Sequence, residues 1–329
     1  MSLENFFPGQ QTTAKPHGFK RAGAIGEWEP VLAGTLTPKG VNLVDYSQIV
    51  LSTVMATFKP TDKIDVETMR HIVLNTIRSN VMKNKRNYPT VILCVDNAHG
   101  GYWRKNKAWY YKFKRSAGRD KSGWDFDVIF EGMETVKQEI VANLPYVVLD
   151  TPGVEADDHI ACMTKYFGQQ NIPVLITSSD GDFTQLHSIP GVKQWSPMQK
   201  KWVKPKHGSP KRDLLFKCFK GDKKDGIASI KAPASHYADG TTRSPSFGED
   251  AVEEFLQAKE ADYPMMLSEA HFKRYQENRE LLDFELIPDE IRSNIISLYQ
   301  QYPLPPRSNI YPYFTSKGLT RLMEAVSDF

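Results

Sequence analysis

Residues 91–96 read VILCVD, a short apolar run that ends in a carboxylate. A run this short, apolar on consecutive positions and rich in β-branched residues, suits a strand buried on both faces, as in a parallel sheet. Three more stretches have the same form. Val41–Val44 is followed by Asp45, Tyr146–Leu149 by Asp150, and Val174–Ile176 lies within a segment leading to Asp180. Helical periodicity separates them. Met69, Ile72, Val73 and Ile77 follow 3.6 spacing behind Asp65, an expected N-cap, and Ile129, Met133, Val136, Ile140 and Leu144 form a second stripe closed by Pro145. Core packing accounts for both stripes. The alternation predicts an α/β fold with a central, mainly parallel sheet flanked by helices. Strand signals fade after about residue 215. The expected organisation is therefore a Pro/Gly-rich flexible tail over 1–40, a core over 41–215 and a helical region over 216–329.

Composition narrows the class. The 329 residues carry 42 Lys+Arg against 39 Asp+Glu, a net +3, so total charge identifies no partner, while 25% charged and 40% hydrophobic residues exclude a wholly disordered chain. Three cysteines cannot build a disulfide framework or a four-cysteine zinc site. No apolar run approaches the roughly 20 residues needed to span a bilayer. The first ten residues, MSLENFFPGQ, lack the basic and apolar regions of a signal peptide. A soluble intracellular protein without a membrane role is expected.

The acids are placed systematically. In an open parallel sheet, ligands bind beyond the carboxyl ends of the strands. Asp45, Asp96, the group Glu155, Asp157 and Asp158, and the pair Asp180 and Asp182 all follow strand ends. One Asp after one strand is an ordinary cap; four strands doing so suggest one acidic crevice. Asp150 is set apart, because the Thr-Pro-Gly that follows it reads as a turn. So many carboxylates cannot all ionise together without counter-charge. With no His or Cys cluster beside them, oxygen ligation points to Mg²⁺, or Mn²⁺ as a substitute, with some acids acting through water. Two such ions about 4 Å apart can activate water and stabilise a leaving oxygen of a phosphodiester. Glu155 and Asp157 converge only if Glu155 ends the loop and Asp157 opens the helix.

The bases are segregated. From Tyr102 to Lys121 there are eight Lys/Arg, including Arg104, Lys105, Lys112, Lys114 and Arg115, and one acid, Asp120, interleaved with Tyr102, Trp103, Trp109, Tyr110, Tyr111 and Phe113. Cations neutralise phosphates and aromatic faces stack on bases; a solvated helix packing its aromatics inward is the alternative. From Lys193 to Lys224 there are eleven Lys/Arg, among them Lys201, Lys220, Lys223 and Lys224, and two acids. The Gly-bearing turn at Lys220–Ile230 offers backbone N–H groups to a phosphate.

Together these stretches resemble the flap endonuclease/5′-nuclease family, including its bacteriophage members. The matching segments are VNLVDYSQIVLST, VILCVDNAHGGYWR, VEADDHIA, SSDGDFTQLH, VKQWSPMQKKWVK and KGDKKDGIAS. The resemblance implies a 5′-nuclease (PIN-like) core, a helical arch at about 102–123 and a helix-hairpin-helix-like DNA-binding element in the C-terminal part. It implies two Mg²⁺ sites held by Asp45, Asp96, Glu155, Asp157, Asp180 and Asp182, with Asp158 adjacent, and with Asp222 and Asp225 from the GDxxD stretch. It implies that Lys112 and Arg115 contact the scissile phosphate. The implied activity is removal of RNA primers from RNA–DNA hybrids and degradation of DNA from 5′ ends, flaps or forks. The implied setting is phage replication in the cytoplasm of an infected bacterial host, with a phage single-stranded-DNA-binding protein as partner. The chain departs from cellular relatives after GDxxD, where Gly226, Ala228 and Ser229 replace their usual residues.

Two other readings stand beside this one. A PIN-like endoribonuclease shares an acidic parallel-sheet crevice, and a non-catalytic nucleic-acid-binding protein would keep the basic segments. At the front of the tail, Leu3, Phe6 and Phe7 resemble the short aliphatic–aromatic peptides by which replication enzymes bind sliding clamps; folding back onto the body is the alternative.

Overall fold

The apolar runs form the strands expected of them. The computed structural model describes residues 30–240, 245 and 247–329, so Leu3, Phe6 and Phe7 lie outside the described residues. In chain order the strands are β1 (Val31–Leu32), β2 (Val41–Asp45), β3 (Thr90–Cys94), β4 (Val147–Leu149), β5 (Val174–Thr177), β6 (Val192–Ser196), β7 (Lys201–Trp202) and β8 (Pro303–Leu304). The helices are α1 (Tyr46–Thr57), α2 (Val66–Met82), α3 (Trp103–Lys107), α4 (Arg115–Asp120), α5 (Phe126–Asn143), α6 (Ala156–Gln169), α7 (Pro210–Lys220), α8 (Glu249–Gln257), α9 (Tyr263–Met266), α10 (Glu269–Leu282), α11 (Asp289–Gln300), α12 (Ile310–Ser316) and α13 (Thr320–Met323). Among the described residues, no helix is long and apolar enough to cross a membrane.

Six strands make one sheet in the order β4-β3-β2-β5-β6-β7. Its first five strands run parallel and β7 closes the edge antiparallel. β2 is central and buried along its whole length. The chain leaves β2 toward β3 and β4, then returns to β5 on the other side, so β2 flanks the switch point where a crevice opens. Helix caps follow the sequence signals. Asp65 accepts the Thr68 N–H at 2.8 Å to start α2, and α5 buries Ile129, Met133, Val136 and Ile140 before Pro145. Cys94, Cys162 and Cys218 are free and buried.

Three features differ from the sequence expectation. The body begins at Val31, not at residue 41, because β1 pairs with β8 and Ala33 is buried against it. The helical C-terminal half does not have one core. Residues of α7, α8 and α10 share a cluster with Tyr110 and Tyr111, whereas Phe284, Ile295, Tyr299, Phe314 and Phe329 return to the cluster beneath the sheet. Third, α7 ends at Gly221 in a tight turn, and no second helix forms among the described residues between Gly226 and Gly248.

Candidate active site

β2 delivers Asp45 at its last position, where the carboxylate caps α1 through the Gln48 N–H at 3.2 Å and accepts the Ser178 hydroxyl at 2.9 Å. β3 leads to Asp96, which accepts the Ala156 N–H at 3.0 Å and so ties its loop to the start of α6. β4 leads to Glu155 at the N-cap and Asp157 in the first turn, the placement that lets an i, i+2 pair converge. β5 leads to Asp180, which caps its own turn by accepting the Asp182 N–H at 3.1 Å. Asp150 does not join them. It accepts from Asn97 at 2.7 Å and from Lys137, a structural role.

Charge separates the acids into two groups. In the first, burial raises the Asp45 carboxyl to about 7, and Asp96 and Asp180 push in the same direction. Asp96 is open to solvent at the crevice mouth, yet the loss of bulk water around it and the Glu155 charge still raise it, against the Ala156 N–H and Lys112. Burial, with repulsion from Asp180, Asp45 and Glu155, drives Asp157 well above the usual carboxylate range despite Lys112. These three have no adequate internal counter-charge.

The second group is Asp182, Asp222 and Asp225. Among the described residues it is the one trio of acids whose ligand oxygens all lie within 4.8 Å of one another. Lys217 Nζ pairs with Asp182 and reaches Asp222 at 2.8 Å. Arg115 donates to Asp225 at 2.7 Å. Burial alone would raise Asp222, but Lys217 and the Lys224 N–H hold it below the usual range. Both groups are made of carboxylate oxygens alone, the donor set of a hard divalent cation. The trio also meets the spacing of such a site as it stands.

Glu155 belongs to neither pattern. It is 1% exposed, and although burial opposes ionisation, Lys112 and Arg104 hold its pKa below normal. Lys112 Nζ pairs with one of its oxygens, and Arg104 donates to the other at 2.8 Å, joined there by the Tyr111 hydroxyl at 3.1 Å. Lys112 holds a left-handed backbone at φ 53°. Its N–H donates to the Asp225 carbonyl at 2.8 Å, locking the basic loop to the GDxxD turn. Gly226 makes that docking close: a Cβ there would lie 2.8 Å from the Tyr110 carbonyl.

Two expectations need correction. Arg104 is not available to a phosphate. It is 3% exposed, and its guanidinium is consumed by Glu155, Asp158 and the Leu281 carbonyl. Asp158 is fully buried and commits its oxygens to Arg104, Trp103 Nε1 and the Glu155 N–H, so it braces the helix start instead of facing an ion. The remaining cations behave as surface groups. Lys105, Lys114, Lys201, Lys223 and Lys224 are exposed, and Lys220 is half-buried. Tyr111, read in the sequence as a base-stacking ring, instead donates its hydroxyl to Glu155, and Lys217 was not singled out there. Lys217 lies five residues before Asp222, and its position on the last turn before GDxxD was the available signal. Clefts of about 320 Å³ and 360 Å³ flank the acids. The first is lined by Asp96, Tyr102, Arg115 and Arg119, and the second by Asp182, Lys217, Asp222 and Lys223.

A parallel sheet with acids at its carboxyl edge and a docked basic loop defines a 5′-exonuclease-like α/β fold. Residues 41–209 match the family model "5'-3' exonuclease, N-terminal resolvase-like domain", and residues 208–329 match "T4 RNase H, C terminal". The chain is 45% identical to ribonuclease H of Enterobacteria phage T4 over 295 residues, 88% of this chain and 96% of that one. It is 27% identical to DNA polymerase I of Mycobacterium tuberculosis over 179 residues, 50% of this chain and 19% of the polymerase. Among solved structures it resembles a bacteriophage T5 flap endonuclease complexed with DNA and metal ions, with a TM-score of 0.56 at 16% identity over 80% of this chain and all of that one. It also resembles T5 5′-exonuclease with bound zinc, at 0.55 and 15% over 88% and 98%. The chain belongs to the 5′-3′ exonuclease family of enzymes, in the branch that contains T4 ribonuclease H.

Proposed function

We propose that the protein is a divalent-metal-dependent 5′→3′ nuclease that removes RNA primers from RNA–DNA hybrids and trims DNA 5′ ends or flaps during phage lagging-strand replication, in the cytoplasm of the infected host. The observation that carries the reading is the placement of Asp45, Asp96, Asp157 and Asp180 beyond the carboxyl ends of neighbouring parallel strands, where desolvation and neighbouring carboxylate charge disfavour ionisation of the first three. These three, with Asp180 and in part Glu155, would hold one Mg²⁺ or Mn²⁺; Asp182, Asp222 and Asp225 would hold a second. When bound, such ions supply Lewis acidity and a water of lowered pKa for phosphodiester hydrolysis.

The chain's own residues do the positioning. Lys112, buried beside Glu155, and Arg115, at the edge of the cleft shared with Asp96, supply cations where charge develops on the scissile phosphate. Lys223 and Lys224, exposed on the turn after α7, and Lys201 on β7 meet phosphates of the adjoining duplex. The PIN-like endoribonuclease reading is less favoured, because it has no use for the docked turn at Asp222–Gly226. A clamp or single-stranded-DNA-binding protein would be met outside the catalytic body. The tail carrying Leu3, Phe6 and Phe7 is the proposed clamp contact, tested by comparing clamp affinity before and after deletion of residues 1–10.

The test is cleavage of a 5′-labelled RNA–DNA hybrid. Mg²⁺-dependent release of short 5′ products supports the reading. Internal cleavage of single-stranded RNA alone would favour the endoribonuclease, and no cleavage would leave a binding protein.

A further inference from the structure

Asp180 and Asp182 stand two residues apart on one turn, yet they serve different acid groups. Asp180 lies with the open group, where its charge helps to raise Asp45 and Asp157, and Asp182 belongs to the trio with Asp222 and Asp225. The conformation of this turn therefore sets how the two groups are spaced. Part of its support is internal: Asp180 accepts the Asp182 N–H, and the Thr184 hydroxyl donates to the Gly181 carbonyl at 2.9 Å. The rest comes from β6.

Gln194, in the middle of β6, is 1% exposed. Its carboxamide nitrogen donates to the Ser178 carbonyl at 3.0 Å and to the Asp180 carbonyl at 2.6 Å. Its oxygen accepts from His187 Nε2 at 3.1 Å, which fixes the end of the amide that faces the turn. Between the two carbonyls, the Ser178 hydroxyl donates to Asp45 at 2.9 Å and accepts the Asp180 N–H at 3.1 Å. One amide thus spans the loop that joins Asp45 to Asp180 and Asp182. A buried carboxamide is costly unless its hydrogen bonds are made. Here it makes three, and two of them end on the backbone of the acid-bearing loop.

We propose that Gln194 is a positioning residue for the ion-binding acids. Its amide holds the Ser178 and Asp180 carbonyls toward β6, which keeps Asp180 with the open group while Asp182 reaches the trio. The inference rests on the proposed metal-dependent reading and deepens it: the spacing of the two ion sites is set by an uncharged side chain on the neighbouring strand.

The test is calorimetric titration of the full-length protein with Mn²⁺ at pH 8, without substrate. Gln194→Met, which removes the amide and keeps an unbranched side chain, is expected to weaken binding about tenfold or more, the scale of losing a group that orients metal ligands. His187→Phe, which removes only the partner of the amide oxygen, is expected to lose less, in the same direction. Val192→Ala trims the same strand away from the turn and is expected to bind like wild type. Amide hydrogen exchange in EDTA gives a metal-free readout: Asp180 and Asp182 should exchange faster in Gln194→Met and at the wild-type rate in Val192→Ala. Wild-type Mn²⁺ affinity in Gln194→Met, or an equal loss in Val192→Ala, would overturn the assignment. If Gln194→Met does not fold, His187→Phe decides by the same comparison. A wild type that takes up no Mn²⁺ would refute the metal-dependent reading and the positioning role together, whereas uptake by wild type and variant alike refutes Gln194 alone.

Discussion

The two acid groups use the same residue type and solve like-charge repulsion in opposite ways. Asp182, Asp222 and Asp225 sit within 4.8 Å of one another because Lys217 and Arg115 lie among them. Asp45, Asp96 and Asp157 have no comparable partner, and desolvation, with repulsion from neighbouring carboxylates added to it, raises their pKa values. The lesson is that proximity of carboxylates does not measure their need for a metal. The closely packed trio carries its own neutralisation, whereas the more open group, on the proposed reading, takes its counter-charge from a bound ion.

The largest expected effect lies in the open group. Asp96→Asn and Asp157→Asn should each reduce cleavage about 10²-fold or more, the scale of losing transition-state electrostatics. Substrate affinity should change little, since neither residue attracts phosphate. Single-turnover cleavage at near wild-type rate by either variant would remove that acid from the chemistry.

Stability against pH, measured in EDTA, distinguishes the groups next. A carboxyl raised to about 7 in the folded state binds a proton that the unfolded chain has released by about pH 4. Asp45 therefore costs stability as pH rises from about 4 to 7. Asp45→Asn should raise the melting temperature at pH 8, at about 2–4 °C per kcal/mol regained, and change it little at pH 4. Asp222 has the opposite sign. Its lowered pKa contributes stability that is present above about pH 4 and lost as pH falls through the folded value. Asp222→Asn should lower the melting temperature across the neutral range. If both variants shifted it in the same direction at pH 8, the contrast would fail.

The cations give smaller effects. Lys217→Met leaves the trio without its central ammonium, so adding Mg²⁺ should stabilise this variant more than wild type in a thermal shift assay. An equal gain would mean that Lys217 does not substitute for an ion. Lys223→Ala and Lys224→Ala should each weaken duplex binding and flatten its salt dependence by about one unit of log–log slope, without lowering single-turnover rates at saturation.

The parts legible in the sequence were those written in local patterns. Apolar runs gave four strands of the parallel sheet, and their terminal acids gave Asp45, Asp96, Glu155, Asp157 and Asp180 at one crevice edge. Less legible were β6 and β7, whose VKQWS and KW are too polar and short to register as buried runs. The return of Phe314 and Phe329 to the first core could not be read, since helical periodicity says which face is apolar but not what covers it. Arg104 shows the same limit at the site. A basic segment beside aromatics suggests phosphate contacts, and only long-range contacts with Glu155, Asp158 and Leu281 make one of its members an internal brace.

The most direct measurement is proton release on ion binding. Calorimetric titration with Mg²⁺ at pH 6.5, repeated in buffers of different ionisation enthalpy, counts the protons displaced. The wild type should release protons, Asp45→Asn should release fewer, and Asp222→Asn should match the wild type. Proton release that survives Asp45→Asn and disappears in Asp222→Asn would contradict the assignment of the unneutralised charge to the open group.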